Sequence, residues 1–265
     1  MARVIAIANQ KGGVGKTTTA INLGAALGLA GRQVLAVDLD PQANLTSGLG
    51  CKGRASRGAT YEALMRPDGS APSCPRLETP VAGLQLVPAD RELTGAELEL
   101  VGAPDREIRL RRLLDPLRRE FDVMLVDTPP SLGLLTLNAL VAADALVVPL
   151  NCEYFALEGL ADLLATLRRV RASFNPALDL AGVLLTMHDE RTNLGQQVAR
   201  EIRTHFGDRV FETVIPRNIR LGEAPSHGLP AVLYDPRSRG AQAYTALARE
   251  LLARMAVGAG EGHHG

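Results

Sequence analysis

Lysine is nearly missing from this 265-residue chain: of 29 Lys and Arg together, three are lysines, Lys11, Lys16 and Lys52. Tryptophan is absent and aromatics make up 3% of residues, which argues against holding single-stranded nucleic acid by stacking bases on aromatic faces. The three cysteines, Cys51, Cys74 and Cys152, are odd in number, widely spaced and form no CxxC pair. A disulfide framework, a zinc site or an iron–sulfur cluster is therefore not expected, and a reducing, cytoplasmic setting is. The five histidines form no group with metal-ligand spacing. No run approaches the roughly 20 apolar residues that a membrane-spanning helix needs, and the apolar VIAIA stops at Asn9, too soon for the core of a secretory signal. Net charge is zero, so a polyanionic partner could be met only by a local cluster of cations.

What is present is ordinary globular material, 46% hydrophobic and 22% charged, enough to bury a core. Short apolar runs alternate with longer amphipathic ones. Strands are expected at 3–8, 33–37, 84–89, 122–126, 145–150, 180–186 and 210–215. Helices are expected at 17–30, 61–65, 91–119 (broken at Pro104), 134–143, 155–173, 194–206 and 241–255. Strands that are apolar on both faces and separated by helices imply a twisted, mainly parallel sheet covered on both sides: an α/β fold. Residues 51–80, rich in Gly, Pro, Ser and Arg, read mainly as loop. No linker divides the chain, so residues 1–255 are read as one domain and 256–265 as a disordered tail.

The segment KGGVGKTT, Lys11 to Thr18, lies between the first strand and the first helix. That placement is what makes a glycine-rich turn a phosphate-binding loop. Gly12, Gly13 and Gly15 let the backbone curl so that successive N–H groups, including that of Val14, face one anion, and the following helix adds its positive end. Lys16 would reach the outer phosphates as a compact point charge, a role that a planar guanidinium does not fill. Thr17 would place its hydroxyl on Mg²⁺, with Thr18 beside it. This accounts for Lys16 in an arginine-dominated chain. The strict pattern GxxxxGK[ST] is missed by one position, since its first glycine would fall at Gln10.

Two carboxylate motifs follow later strands. In VDLDPQ, Asp38 and Asp40 are two apart and share a side of an extended strand. Chemistry alone leaves open whether they serve phosphate and Mg²⁺ or form a turn before Pro41. In LVDTPPS, Asp127 ends a buried strand, the usual place for a carboxylate that meets Mg²⁺.

The early lysine of KGGVGKT resembles the deviant Walker A motif of the ParA/MinD superfamily of ATPases, whose fold is the P-loop NTPase fold. The DLDPQ and DTPPS segments match its two switch regions. CEYFALEGL, LLTMHDERTNLG, TVIPRNIRLGEAPSHG and YDPRSRGAQAY are similar to the ParA/Soj chromosome-partitioning branch over nearly the full length. The resemblance implies an ATP- and Mg²⁺-dependent homodimer. Lys11 would touch the nucleotide of the partner subunit, Asp40 would serve hydrolysis, and Pro216 and Asn218 would line the adenine. It further implies non-specific binding of double-stranded DNA by the dimer, at the nucleoid, and hydrolysis stimulated by a ParB-like protein. Slow turnover alone is expected, since no arginine finger in cis is evident.

The DNA candidates are Arg191, Arg217 and Arg220, ahead of Arg203, Arg237 and Arg239. No helix-turn-helix precedes the first strand, so operator binding is not expected. The alternative is a MinD-like membrane-associated ATPase, for which the apolar stripe Tyr244, Leu247, Ala248, Leu251, Leu252 and Met255 would have to face lipid. Docking onto the sheet is the expected use of that stripe. A metal-cluster carrier would need paired cysteines, and a small-molecule kinase or ligase would leave Lys11 without a role.

Overall fold

The computed structural model describes residues 1–66, 74–153, 156–189 and 191–260. Chain order is β1 (Arg3–Ile7), α1 (Lys16–Leu29), β2 (Val34–Asp38), α2 (Asn44–Gly48), α3 (Ala59–Met65), β3 (Leu77–Glu78), β4 (Leu84–Val87), α4 (Leu93–Glu99), α5 (Arg109–Leu114), β5 (Val123–Asp127), α6 (Leu134–Ala142), β6 (Ala145–Asn151), α7 (Ala156–Ser173), β7 (Asp179–Thr186), α8 (Asn193–Phe206), α9 (Ile219–Glu223), α10 (Ala231–Tyr234) and α11 (Arg239–Gly260).

The strands form one sheet in the order β3-β4-β2-β5-β1-β6-β7. Every pairing is parallel except that of β3 with β4. The lack of polar alternation in VLAVD and VMLVD has a direct cause: each side of each strand meets a hydrophobic layer. Val4, Ala6, Leu35, Val37, Met124 and Val126 join one layer with residues of α4, α5, α6 and α7. Ile5, Ile7, Val34, Ala36 and Leu125 join the other, with Ile21, Leu23 and Leu27 of α1 and Tyr244, Leu247 and Leu251 of α11. Burying each large aliphatic side chain contributes about 1.5–3 kcal/mol.

The chain leaves β1 toward β2 on one side, whereas β5 hands it to β6 on the other. The sheet thus reverses direction around β1, and a crevice opens beyond the carboxyl ends of its central strands.

The expected break at Pro104 is present: Pro104 and the left-handed Asp105 (φ 55°) separate α4 from α5. Two expectations change. Residues 210–215 are not a strand. Phe211 N and Ile215 N do donate to Val183 O and Leu185 O of β7, both at 2.9 Å. Between them, however, Glu212 N and Thr213 N donate to the Glu250 carboxylate of α11, at 2.8 and 2.9 Å, which breaks the ladder. The C-terminal helix runs on to Gly260, past the point at which the tail was expected to begin, and 261–265 lie outside the described residues. The expected start of the long helix, Phe155, also lies outside them.

Candidate functional site: a phosphate-binding crevice

The glycine turn leads straight from β1 into α1. Gly13 and Gly15 have φ of +70° and +88°, where any side chain would cost about 1–2 kcal/mol. The first turn of α1 holds no acidic residue and its N-cap gives no side-chain hydrogen bond, so its free amides and positive end are open to an anion. Both ends of the turn are fastened. Asn9 Oδ1 accepts from Lys11 N at 3.0 Å while Asn9 Nδ2 donates to Pro149 O of β6 at 2.8 Å. Thr186 Oγ1, at the end of β7, donates to the buried Val14 O at 2.8 Å. Gly12 and Gly13 are exposed, and Thr17 and Thr18 are half-buried.

Lys16 is 7% exposed and its Nζ donates to Lys11 O at 3.1 Å. Burial pulls its pKa down, with the charges of Asp127 and Asp40 opposing that pull. An ammonium in such a place gains strongly from an anion.

The carboxylates come together through sheet register: Asp127 pairs with Ile7 on one side and with Asp38 on the other. Asp127 is fully buried, and neither of its oxygens has a hydrogen-bond partner among the described residues. Burial first, then the neighbouring Asp38 and Asp40, push its pKa well up, while the Thr17 hydroxyl and the Lys16 ammonium act in the opposite sense. The Thr17 approach falls short of hydrogen-bond geometry. Two orphaned buried oxygens beside a threonine hydroxyl fit a divalent cation. Magnesium keeps several waters and phosphate oxygens, so one or two protein ligands suffice.

Asp38 and Asp40 do not act as a pair, because β2 ends at Asp38 and alternation stops there. Asp38 Oδ1 accepts from Asp40 N at 3.1 Å, and Oδ2 accepts from Thr46 N at 2.8 Å and Thr46 Oγ1 at 2.7 Å. Burial nonetheless raises its pKa to about 7. Asp38 therefore holds the loop that carries Asp40. The Asp40 carboxylate, 7% exposed, uses Oδ1 to accept from Gln42 N at 2.9 Å and keeps Oδ2 free among the described residues.

Lys11 points away from its own turn: its Nζ lies 2.6 Å from Glu153 Oε2, just past β6. That hydrogen bond holds the Glu153 carboxyl below its ordinary range. Pro216, Arg191, Arg217 and Arg239 line one cleft of about 540 Å³, together with His188 and Gln242. Asn218 caps α9, its side-chain oxygen accepting from Arg220 N at 2.9 Å, so that acceptor is partly committed and the amide hydrogens remain for a ligand.

The arginines differ in how freely they stand. Arg217 has no side-chain partner among the described residues, whereas Arg191 is forked onto Asp189 at 2.8 and 2.7 Å. Arg220 bridges Glu223 at 2.7 Å and Asp235 at 3.2 Å. Arg203 lies 3.7 Å from Glu212, and Arg237 and Arg239 are exposed. Sequence reasoning missed Thr46, Thr186 and Asn9, all of them positioning residues. Only Asn9, next to the glycine turn, carried a local signal.

Among the described residues no helix is long and apolar enough to cross a membrane. The stripe of α11 is used internally: Tyr244, Leu247, Ala248 and Leu251 are buried, Leu252 and Met255 pack against the same core, and Tyr244 Oη lies 3.1 Å from Thr19 Oγ1 of α1.

Comparison with known proteins agrees with this geometry. An AAA domain profile matches residues 2–180. The chain is 53% identical over 253 residues to the sporulation initiation inhibitor protein Soj of Bacillus subtilis, covering 96% of this chain and 99% of that one. It is also 53% identical over 256 residues to the chromosome partitioning protein ParA of Caulobacter vibrioides, covering 95% and 94%. Among solved structures, cobyrinic acid a,c-diamide synthase from Mycobacterium smegmatis with bound ADP and magnesium superposes with a TM-score of 0.82 at 39% identity, covering 97% of each chain. The same synthase has also been solved with an ATP analogue and magnesium. With the glycine turn, its lysine pair and the strand-end carboxylates in place, the chain belongs to the Soj/ParA family of chromosome-partitioning ATPases.

Proposed function

We propose that the chain is a DNA-segregating switch that ATP closes into a homodimer, that binds double-stranded DNA without sequence preference in that state, and that a ParB-like partner resets by stimulating hydrolysis. The observation that carries this reading is the pair of partnerless Asp127 oxygens beside buried Lys16, one strand from the turn that holds Lys11.

Residues Gly12 to Thr18 would cradle the phosphates with backbone N–H groups. Lys16 would leave Lys11 O for the outer phosphates, and Thr17, Asp40 and Asp127 would hold Mg²⁺. Bound Mg²⁺ supplies charge neutralisation on the phosphate oxygens. Asp40, positioned by Asp38 and Thr46, would orient the attacking water. Lys11 would exchange Glu153 for the nucleotide of the second subunit, which makes dimerisation depend on ATP. Pro216 and Asn218 would flank the base. Arg191, Arg217 and Arg220 would meet DNA phosphates, contacts that need a few placed cations rather than a high net charge. Such a protein works in the cytoplasm, on the nucleoid.

The test compares DNA binding with ATP, with ADP and in Lys16→Ala. Binding with ATP alone, lost in the variant, supports the switch; equal binding in all three conditions overturns it. The synthase name of one structural relative favours a second reading, ligation of a small substrate. ATP turnover that depends on a small co-substrate and ignores DNA would select it.

A further inference from the structure

Glu97 of α4 is not part of the phosphate site, yet one of its carboxylate oxygens, Oε1, is buried with no hydrogen-bond partner among the described residues. It packs against the loop that follows Asp127. A Cβ built on Gly133 would lie 2.3 Å from Glu97 Oε1 and 3.5 Å from Ser131 Oγ. Ser131 Oγ is itself buried and partnerless. Two orphaned polar atoms, one able only to accept when ionised and one able to donate, thus flank the same point, which a side chain at 133 would fill. Gly133 is also the N-cap of α6. That nine-residue helix has no acidic residue in its first turn and no side-chain cap. Thr136 Oγ1 donates to Ser131 O at 2.7 Å, and Asn138 Nδ2 to Leu134 O at 2.9 Å.

From these observations we infer that Glu97 is the positioning residue for the loop 128–133. Its carboxylate supplies from α4 the negative group that the N-terminus of α6 lacks, and a small shift of the loop would make it the acceptor for the Ser131 hydroxyl, a bond not formed in the nucleotide-free fold. A buried carboxylate oxygen left without a donor is costly, so loop positions that bring a donor to Oε1 are favoured. Glu97 touches no reacting group; it acts through the loop that begins at Asp127. Gly133 is required because any larger residue would displace the carboxylate.

The inference concerns the same site as the proposed switch and rests on that reading only for its effect on turnover. Hydrogen exchange of the amides at 132–137 in the nucleotide-free protein tests it independently. Glu97→Ala should speed exchange there by about tenfold, the equivalent of one lost charge–dipole contact. Glu97→Gln, which keeps the acceptor and loses the charge, should fall between Ala and wild type, and Gly133→Ala should match Glu97→Ala. In DNA- and partner-stimulated hydrolysis, kcat should fall in Glu97→Ala with KM for ATP unchanged. Unchanged exchange in Glu97→Ala overturns the inference, as does a Glu97→Gln variant no better than Ala. A wild-type protein that ignores DNA would defeat the switch reading and leave the exchange test intact.

Discussion

Replacing Thr46 by Val removes one hydroxyl from a buried network and nearly preserves shape. Thr46 is 4% exposed. Its Oγ1 donates to Asp38 Oδ2 at 2.7 Å and accepts from Ala89 N at 2.9 Å, tying the ends of β2 and β4 to the first residues of α2. In Thr46→Val the Ala89 amide is left buried without an acceptor, which costs about 1–3 kcal/mol, and Asp38 loses a charge-assisted bond of similar size. The two losses share one group and do not add fully, so the variant should be destabilised by about 3 kcal/mol. For a domain of this size that lowers Tm by about 6–12 °C. Thr46→Ser keeps the hydroxyl and loses one methyl, for about 1 kcal/mol. Thermal denaturation by circular dichroism without nucleotide reads both variants. Because Asp38 also holds the Asp40 amide, ATP hydrolysis at a temperature where Thr46→Val remains folded should fall several-fold further than ATP affinity. A valine variant that melts with wild type, or a serine variant that melts with valine, would refute the network as described.

Further outcomes follow from charge and backbone. Asp38 titrates near 7 in the fold and Asp127 well above its ordinary range, both chiefly through burial. The fold holds protons that the unfolded chain sheds near pH 4, so this stabilisation is complete below that pH and is lost as pH rises through 7. The denaturant midpoint of the nucleotide-free protein should drop as pH rises from about 4 through about 7, and Asp127→Asn should flatten the drop; an unchanged slope in the variant would contradict the assignment. Gly228→Ala should cost at least about 2 kcal/mol in denaturant melts. Its φ is +66° and a Cβ there would sit 2.8 Å from Gly50 Cα, so a variant as stable as wild type would mean that the two loops do not meet as described. Arg217→Glu should weaken DNA binding by about tenfold or more and lower its salt dependence, with Tm unchanged because the guanidinium holds nothing inside the described fold. Retained affinity would remove Arg217 from the DNA face.

Fold and phosphate turn were legible because both rest on local rules. Apolar runs without alternation define parallel strands covered on both faces, and a glycine turn between a strand and a helix can do little else. The split between Asp38 and Asp40 was not legible, since it depends on β2 ending at Asp38 and on Thr46 arriving from α2. Residues 210–215 misled because their apolar pattern is that of a strand, while a distant side chain, Glu250, takes the amides that a strand would use. The short α2, α9 and α10 left no periodic signal, being one turn or little more. Glu97 and Ser131 are invisible to pattern reading, because their meaning comes from Gly133, a third residue that brings them to one spot.

The central claim is that nucleotide bound at Lys16 is shared with a second subunit through Lys11, and solution mass reads it directly. Small-angle scattering or light scattering with Mg²⁺ and a non-hydrolysable ATP analogue should give twice the monomer mass for wild type. Lys11→Arg should bind the analogue and stay monomeric. A monomeric wild type, or a Lys11→Arg variant that dimerises normally, would contradict the account.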